Sequence, residues 1–302
     1  MRYSVFFLLI LPFSGFAQIE MQPGNDGILF TDNGRQVMYY QITPKSLNGA
    51  YARNNYFHPL WGPGGQIITE DFPEDHLHHR GIFWAWHQVV VDGRNAGDLW
   101  ELKGIRQEVA EVEFIALPDG SGVFKSEILW SSEAGVSLGI PGPFMKENVT
   151  VTLHPGKRAY RRIDFEIKMS ALRYVVRLGG SEDEKGYSGF SVRLKLPVPA
   201  EFSGPEGPVE PRVTQVESPG WVNITCTPES GSPYGLVILD HRSNPAYPQP
   251  WILRREKSMQ NAAYPGRELT EIPQDKPLVL RYSLLVHDGK LRSRAIRREA
   301  AR

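Results

Sequence analysis

Three of the eight histidines in this 302-residue chain fall within four positions, in Asp75-His-Leu-His-His-Arg-Gly81. Imidazole is the side chain that changes charge near neutral pH, so a cluster of this density can carry protons to and from a substrate, or hold a divalent metal. If the segment is extended, His76, His78 and Arg80 share one face, and Asp75 and His79 the other. A second stretch, Tyr56-Phe-His-Pro-Leu-Trp-Gly-Pro-Gly-Gly65, places His58 before a proline and Trp61 before glycines that let a ligand approach the backbone. A third, Leu239-Asp-His-Arg-Ser-Asn-Pro245, sets Asp240, His241, Arg242 and Asn244 directly after an apolar run, where a sheet hands its side chains to a loop. A fourth is Asn261-Ala-Ala-Tyr-Pro-Gly-Arg267, which contains Tyr264.

These residue types suit sugar chemistry. Sugars present flat C–H faces that stack on aromatic rings such as Trp61, Trp84, Trp86, Trp100 and Trp251, while Arg, Asn, Asp and His bond to hydroxyls, although much of this tryptophan, especially on the 82–91 run, reads as core. The leading expectation is an enzyme in which a neutral histidine removes a proton from a hydroxyl or from a carbon beside a carbonyl, and a protonated one delivers a proton to a ring or glycosidic oxygen. His76, His78, His79 and His241 are the candidates for that work. Arg80 and Arg242 would hold oxygens, and His58, Trp61, Trp84, Asp240, Asn244 and Tyr264 would bind substrate. Lysis or hydrolysis of an oxidised (3-keto) glycoside fits, as does mutarotation or epimerisation. Two alternatives stay open: a metal-dependent sugar enzyme in which histidines with Asp75 or Asp240 hold a divalent ion, and a non-catalytic carbohydrate-binding protein.

Other chemistries find no support in the sequence. It contains no Gly-x-Gly-x-x-Gly after a strand, no Gly-x-x-x-x-Gly-Lys-Ser/Thr, no Gly-x-Ser-x-Gly and no His-Glu-x-x-His. Lys plus Arg (34) balance Asp plus Glu (34), so no basic field draws in nucleic acid. The single cysteine, Cys226, excludes an intramolecular disulfide and a cysteine-based zinc cluster.

The elements that must position these residues read as strands. Gly (29) and Pro (24) together exceed the usual combined share of about 12%. Strand-like runs recur at 36–42, 82–91, 107–116, 122–130, 147–153, 161–169, 190–196, 221–225, 236–239 and 278–286. Glu147-Asn-Val-Thr-Val-Thr-Leu153 and Arg162-Ile-Asp-Phe-Glu-Ile-Lys168 alternate polar with apolar residues, the pattern of antiparallel sheets packed face to face. Only 291–302 reads as a helix, a frayed basic terminus. The expected architecture is all-β, one large antiparallel β-sandwich over residues 18–302.

Residues 1–17 read as a signal peptide. Arg2 supplies the charge, Val-Phe-Phe-Leu-Leu-Ile-Leu-Pro (5–12) an apolar core too short to span a bilayer, and Ser14-Gly-Phe-Ala17 the small residues before a cut ahead of Gln18. The mature chain is then expected to be periplasmic or secreted, with no membrane span.

The Tyr56–Gly65, Asp75–Gly81 and Asp240–Pro245 motifs, with Lys185-Gly-Tyr-Ser-Gly-Phe190, resemble a bacterial family catalogued as PmoA-like, a domain of unknown function. The resemblance implies a fold similar to the galactose-mutarotase-like supersandwich and a setting among sugar-processing enzymes. It implies no catalytic residue set, and its catalogue name, that of a membrane methane oxygenase, does not suit a chain without a spanning segment.

Overall fold

Alternation of inward apolar and outward polar side chains builds two large sheets in the computed structural model, which describes residues 5–6, 18–196, 200–229, 231–256 and 258–302. In Pro143–Leu153, for example, Val149, Val151 and Leu153 are buried while Asn148, Thr150 and Thr152 are only partly so. Among the described residues the larger sheet runs, in spatial order, Val5–Phe6, Ile105–Ala116, Gly122–Ser132, Pro143–Leu153, Tyr160–Ala171, Leu278–Asp288, Tyr234–Asp240, Trp221–Cys226, Ala200–Gly204 and Gly207–Pro208. The second sheet runs Ile19–Pro23, Gly27–Asp32, Arg35–Gln41, Tyr56–Leu60, Ile82–Trp86, Ser188–Arg193, Met259–Ala263 and Trp251–Ile252. Pairing is antiparallel throughout both, except where Val5–Phe6 lies parallel to Val112–Glu113. The rest of the expected signal peptide lies outside the described residues.

Aromatic contacts join the two inner faces. Tyr40 meets Phe124 at 4.9 Å between ring centroids, Phe57 meets Phe165 at 5.5 Å, and Phe190 meets Tyr282 at 4.5 Å. The fold is therefore an all-β sandwich, as the alternation requires. Among the described residues, no helix is long and apolar enough to cross a membrane.

Two expectations about elements are corrected. The run 82–91 is two strands, Ile82–Trp86 and Gln88–Val91, parted at His87. The first belongs to the second sheet, whereas the other joins a smaller sheet with Arg94–Gly97, Val176–Gly179 and Thr270–Ile272. Both halves are apolar, so composition alone shows no seam. The terminal helix, Ser293–Ala300, is docked instead of frayed. Ile296 packs beside Tyr160, Trp221 and Leu285, and the buried Glu299 carboxylate accepts from the Tyr160 hydroxyl, from Lys157 at 3.2 Å and from Arg162 at 3.2 Å.

Candidate active site

The histidine segment is not extended. Tight turns place the His76 N–H on the Pro73 carbonyl and the His79 N–H on the His76 carbonyl, at 3.1 and 2.9 Å. The chain therefore coils so that three rings gather on one side. His76 and His79 stack nearly parallel (4.7 Å, 7°), and His78 stands edge-on to both, at 5.7 and 4.4 Å. Gly81 ends the coil with φ +48°, and a Cβ there would stand 2.1 Å from the Phe57 carbonyl oxygen, so the segment requires glycine at this position.

A buried guanidinium anchors the coil. Arg193, at the end of the wholly buried strand Ser188–Arg193, donates to both oxygens of Asp75 (2.6 and 3.2 Å), to Glu70 (2.9 Å) and to Nδ1 of His79 (3.2 Å). Arginine can only donate, so His79 accepts at Nδ1 and carries its proton on Nε2. Burial above all, then the neighbouring His78, His76 and Arg193, holds His79 far below the usual imidazole range, and it stays neutral. Against the upward push of burial, Arg193 and His76 keep the Asp75 carboxyl below its ordinary value.

His76 turns Nδ1 to Asp75 at 2.7 Å, and His87, at the seam between the two strands, turns Nδ1 to Asp98 at 2.9 Å. In both pairs the carboxylate accepts the Nδ1 proton, so that in the neutral ring the lone pair is on Nε2, the arrangement of a general base. Burial, partly offset by Glu101, pushes His78 down to about 4, so its 3.6 Å approach to Glu101 is a contact of a neutral ring at pH 7. His76, His78, His79 and His87 all line one cleft of about 860 Å³. Its other walls include Glu101, Asp183, Lys185, Tyr187 and Arg254. Trp100 closes the back, buried, stacked on His87 at 5.4 Å and tilted against Tyr187 at 5.1 Å.

A family model described as "Family of unknown function (DUF6807)" matches residues 28–301. The chain belongs to that family. The matched span of this DUF6807 chain includes every residue of the cleft. No curated protein matches the sequence. The resemblance to the PmoA-like family is corrected by this match, and the expectations that rested on it, similarity to the galactose-mutarotase-like supersandwich and a setting among sugar-processing enzymes, lose that support.

Of the sequence candidates, the DUF6807 fold brings together His76, His78 and His79 and separates the others. His241 begins the loop after the strand Tyr234–Asp240 of the larger sheet, bonded to Ser243 at 2.8 Å, and does not line the cleft. Asp240 and Asn244 are buried fasteners: Asp240 accepts from the Asn244 amide (2.8 Å) and the Gln249 N–H (2.9 Å), and Asn244 bonds the Arg281 backbone on both sides (2.7 and 2.6 Å). Arg242 is exposed beside them. Arg80 is corrected from an oxygen-binding residue to an interior one. It is fully buried, ion-paired to Asp71, bonded to the Tyr56 hydroxyl at 2.7 Å and laid over Phe72 at 3.5 Å.

His58 faces a different pocket, with Nδ1 3.0 Å from the Thr69 hydroxyl, and burial pushes it down to about 4. The Thr69 oxygen also accepts from the Leu60 N–H at 3.0 Å, and the His58 ring is neutral at pH 7. Tyr264 is buried, and its carbonyl accepts from the Trp86 indole at 2.9 Å. The tryptophans of the 82–91 run are core, as read, and Trp84 is corrected from a substrate-binding residue to an interior one. Trp84, Trp86, Trp100 and Trp251 are buried, and partly exposed Trp61 lines another cleft.

Sequence reasoning missed His87, Asp98, Arg193 and Glu147. A lone histidine inside an apolar run and an arginine closing another were the available signals. Glu147 shares the phase of Val149, Val151 and Leu153, which assigns its carboxyl to the core. There it is completely buried and accepts from Trp84 (2.6 Å), Trp130 (2.7 Å) and Asn55 (3.0 Å), across the two sheets. Burial pushes its pKa to about 7, against those hydrogen bonds. Among the described residues, no three or more His, Cys, Asp or Glu side chains are grouped so as to hold a metal ion.

Proposed function

We propose that this chain is an exported carbohydrate-active enzyme whose histidine cleft performs acid and base chemistry on a sugar. The observation that carries the reading is the pair of carboxylate-braced imidazoles: His76 on Asp75 and His87 on Asp98 line the same cleft, each with Nδ1 turned to its carboxylate. One takes a proton from a hydroxyl or from carbon beside a carbonyl. The other, once protonated, returns a proton to the departing or ring oxygen, its positive charge supported by the carboxylate on Nδ1. His79 offers a fixed Nε2–H, and neutral His78 either donates or accepts. Glu101, Asp183, Lys185 and Arg254 supply the mixed donors and acceptors that a polyhydroxylated substrate needs. Carbon acidity beside a carbonyl makes oxidised (3-keto) glycosides the first substrates to try, with aldoses for mutarotation or epimerisation next. Export follows from the leader-like residues 1–17.

The test is turnover of purified protein on those two panels, with His76→Ala and His87→Ala beside the wild type. Each variant should lose about 10²- to 10⁴-fold in rate. Binding without turnover by the wild-type protein would replace the enzyme with a carbohydrate-binding protein. Activity that disappears on chelation and returns with a divalent ion would restore the metal-dependent alternative.

A further inference from the structure

The glycine-rich Trp61–Gly65 motif takes no part in the histidine cleft. It forms one wall of a separate cleft of about 1400 Å³, whose floor is the outer side of Gly27–Asp32 and Arg35–Gln41 and whose far wall is the turn at 156–161. Trp61 is the one tryptophan of the described residues that is not buried. The cleft is basic. Arg161 is committed to Asp32 at 2.7 Å and Lys157 to Glu299 at 3.2 Å, but Arg35 and Arg158, both exposed, have no ion pair or hydrogen bond among the described residues. The acidic counterweights are two: Asp32 is spent on Arg161, Asn33 and the Gly156 N–H, and Asp288 sits at the opposite edge, bonded by Gln66.

A partly exposed indole that shares a cleft with two unpaired guanidinium groups is a recognisable chemistry. The indole face takes the C–H face of a sugar ring, and each guanidinium fork takes a carboxylate or sulfate with two parallel hydrogen bonds. The balanced total charge of the chain argues against a general affinity for phosphate backbones. We infer that this cleft is a second carbohydrate site, for an acidic polysaccharide bearing carboxylate or sulfate groups, and that it holds the protein on a polymer. The inference does not depend on the histidine cleft being catalytic.

The experiment is a titration of the full-length mature protein, by calorimetry and by acrylamide quenching of tryptophan fluorescence, with four probes: an oligogalacturonate, a heparin oligosaccharide, a neutral cello-oligosaccharide and a single-stranded oligonucleotide. One of the two acidic glycans should bind, shield the quenchable tryptophan, and weaken as salt rises. The carboxylated and sulfated arms tell which acid is preferred. The double variant Arg35→Ala/Arg158→Ala should bind at least about tenfold less tightly, with an unchanged melting temperature, and Arg35→Lys/Arg158→Lys should recover only part of the loss. Trp61→Phe should abolish the quenching signal while retaining binding. The inference is overturned if neither acidic glycan binds, if the neutral glycan or the oligonucleotide binds as well as they do, or if the arginine variants leave binding unchanged.

Discussion

At His79, geometry dictates a protonation state that titration does not reach. The Arg193 guanidinium occupies Nδ1, so the ring must remain the neutral Nε2–H tautomer from pH 5 to 8. Long-range proton–nitrogen NMR of the histidine side chains should show one non-titrating Nε2–H ring, lost in Arg193→Lys; a titrating or Nδ1–H ring in its place would refute the anchor. Glu147 makes a second prediction with a definite sign. Its folded pKa of about 7 lies above the ordinary 4.5, so the folded state binds the extra proton between those values and stability falls as pH rises through that window. The effect is of order 3 kcal/mol at most. His58 and His78, both near 4 when folded, act oppositely, since acid below the ordinary 6.5 favours the unfolded chain. Denaturant midpoints of wild type and Glu147→Gln from pH 5 to 8 separate the two: the variant should lose the downward slope. It should also be less stable at pH 5, because its NH₂ must face at least one of the donors that now meet carboxylate oxygens. A parallel pH profile for both proteins would contradict this role.

Turns decide more of the site than strands do. The alternating runs of the larger sheet were legible because their side chains face core and water by turns, and 107–116, 122–130, 147–153 and 161–169 fall within strands at Ile105–Ala116, Gly122–Ser132, Pro143–Leu153 and Tyr160–Ala171. The histidine segment was legible in composition but not in shape. An extended reading splits His79 from His76 and His78, whereas the coil unites them, because its backbone bonds to itself and to Arg193, 118 residues beyond Asp75. Such a long-range ion pair leaves no local trace. The loop after Leu239 failed for the opposite reason, since its polar residues are consumed in fastening one another. Gly81 is where the element is most exposed to change. Gly81→Ala should lower stability by at least about 2 kcal/mol, from a strained φ and a clash with the Phe57 carbonyl, and should blunt any activity of the cleft. Urea unfolding measures it, and a wild-type midpoint would show that the coil can relax.

For the whole molecule, the sandwich supplies rigidity, and the site is held by its second sheet and by the smaller sheet. The second sheet carries Arg193, the smaller sheet begins at the seam beside His87, and Glu147 ties the two large sheets together between Trp84 and Trp130. The proposed export makes a prediction for the entire chain: mass spectrometry of protein recovered from outside the cytoplasm should find Gln18 at its start, and an intact Met1 would contradict it. Cys226 is buried and pushed up to about 12 by that burial, so Cys226→Ser should leave any turnover intact. The central claim, that His76 and His87 are paired working bases on a frame that does not need them, is tested most directly by measuring turnover and melting temperature together for His76→Ala, His87→Ala and His241→Ala. The account predicts that the first two lose about 10²- to 10⁴-fold in rate with nearly unchanged melting temperatures, and that His241→Ala retains its rate. Early melting with normal specific activity in the first two, or loss of rate in His241→Ala alone, would contradict it.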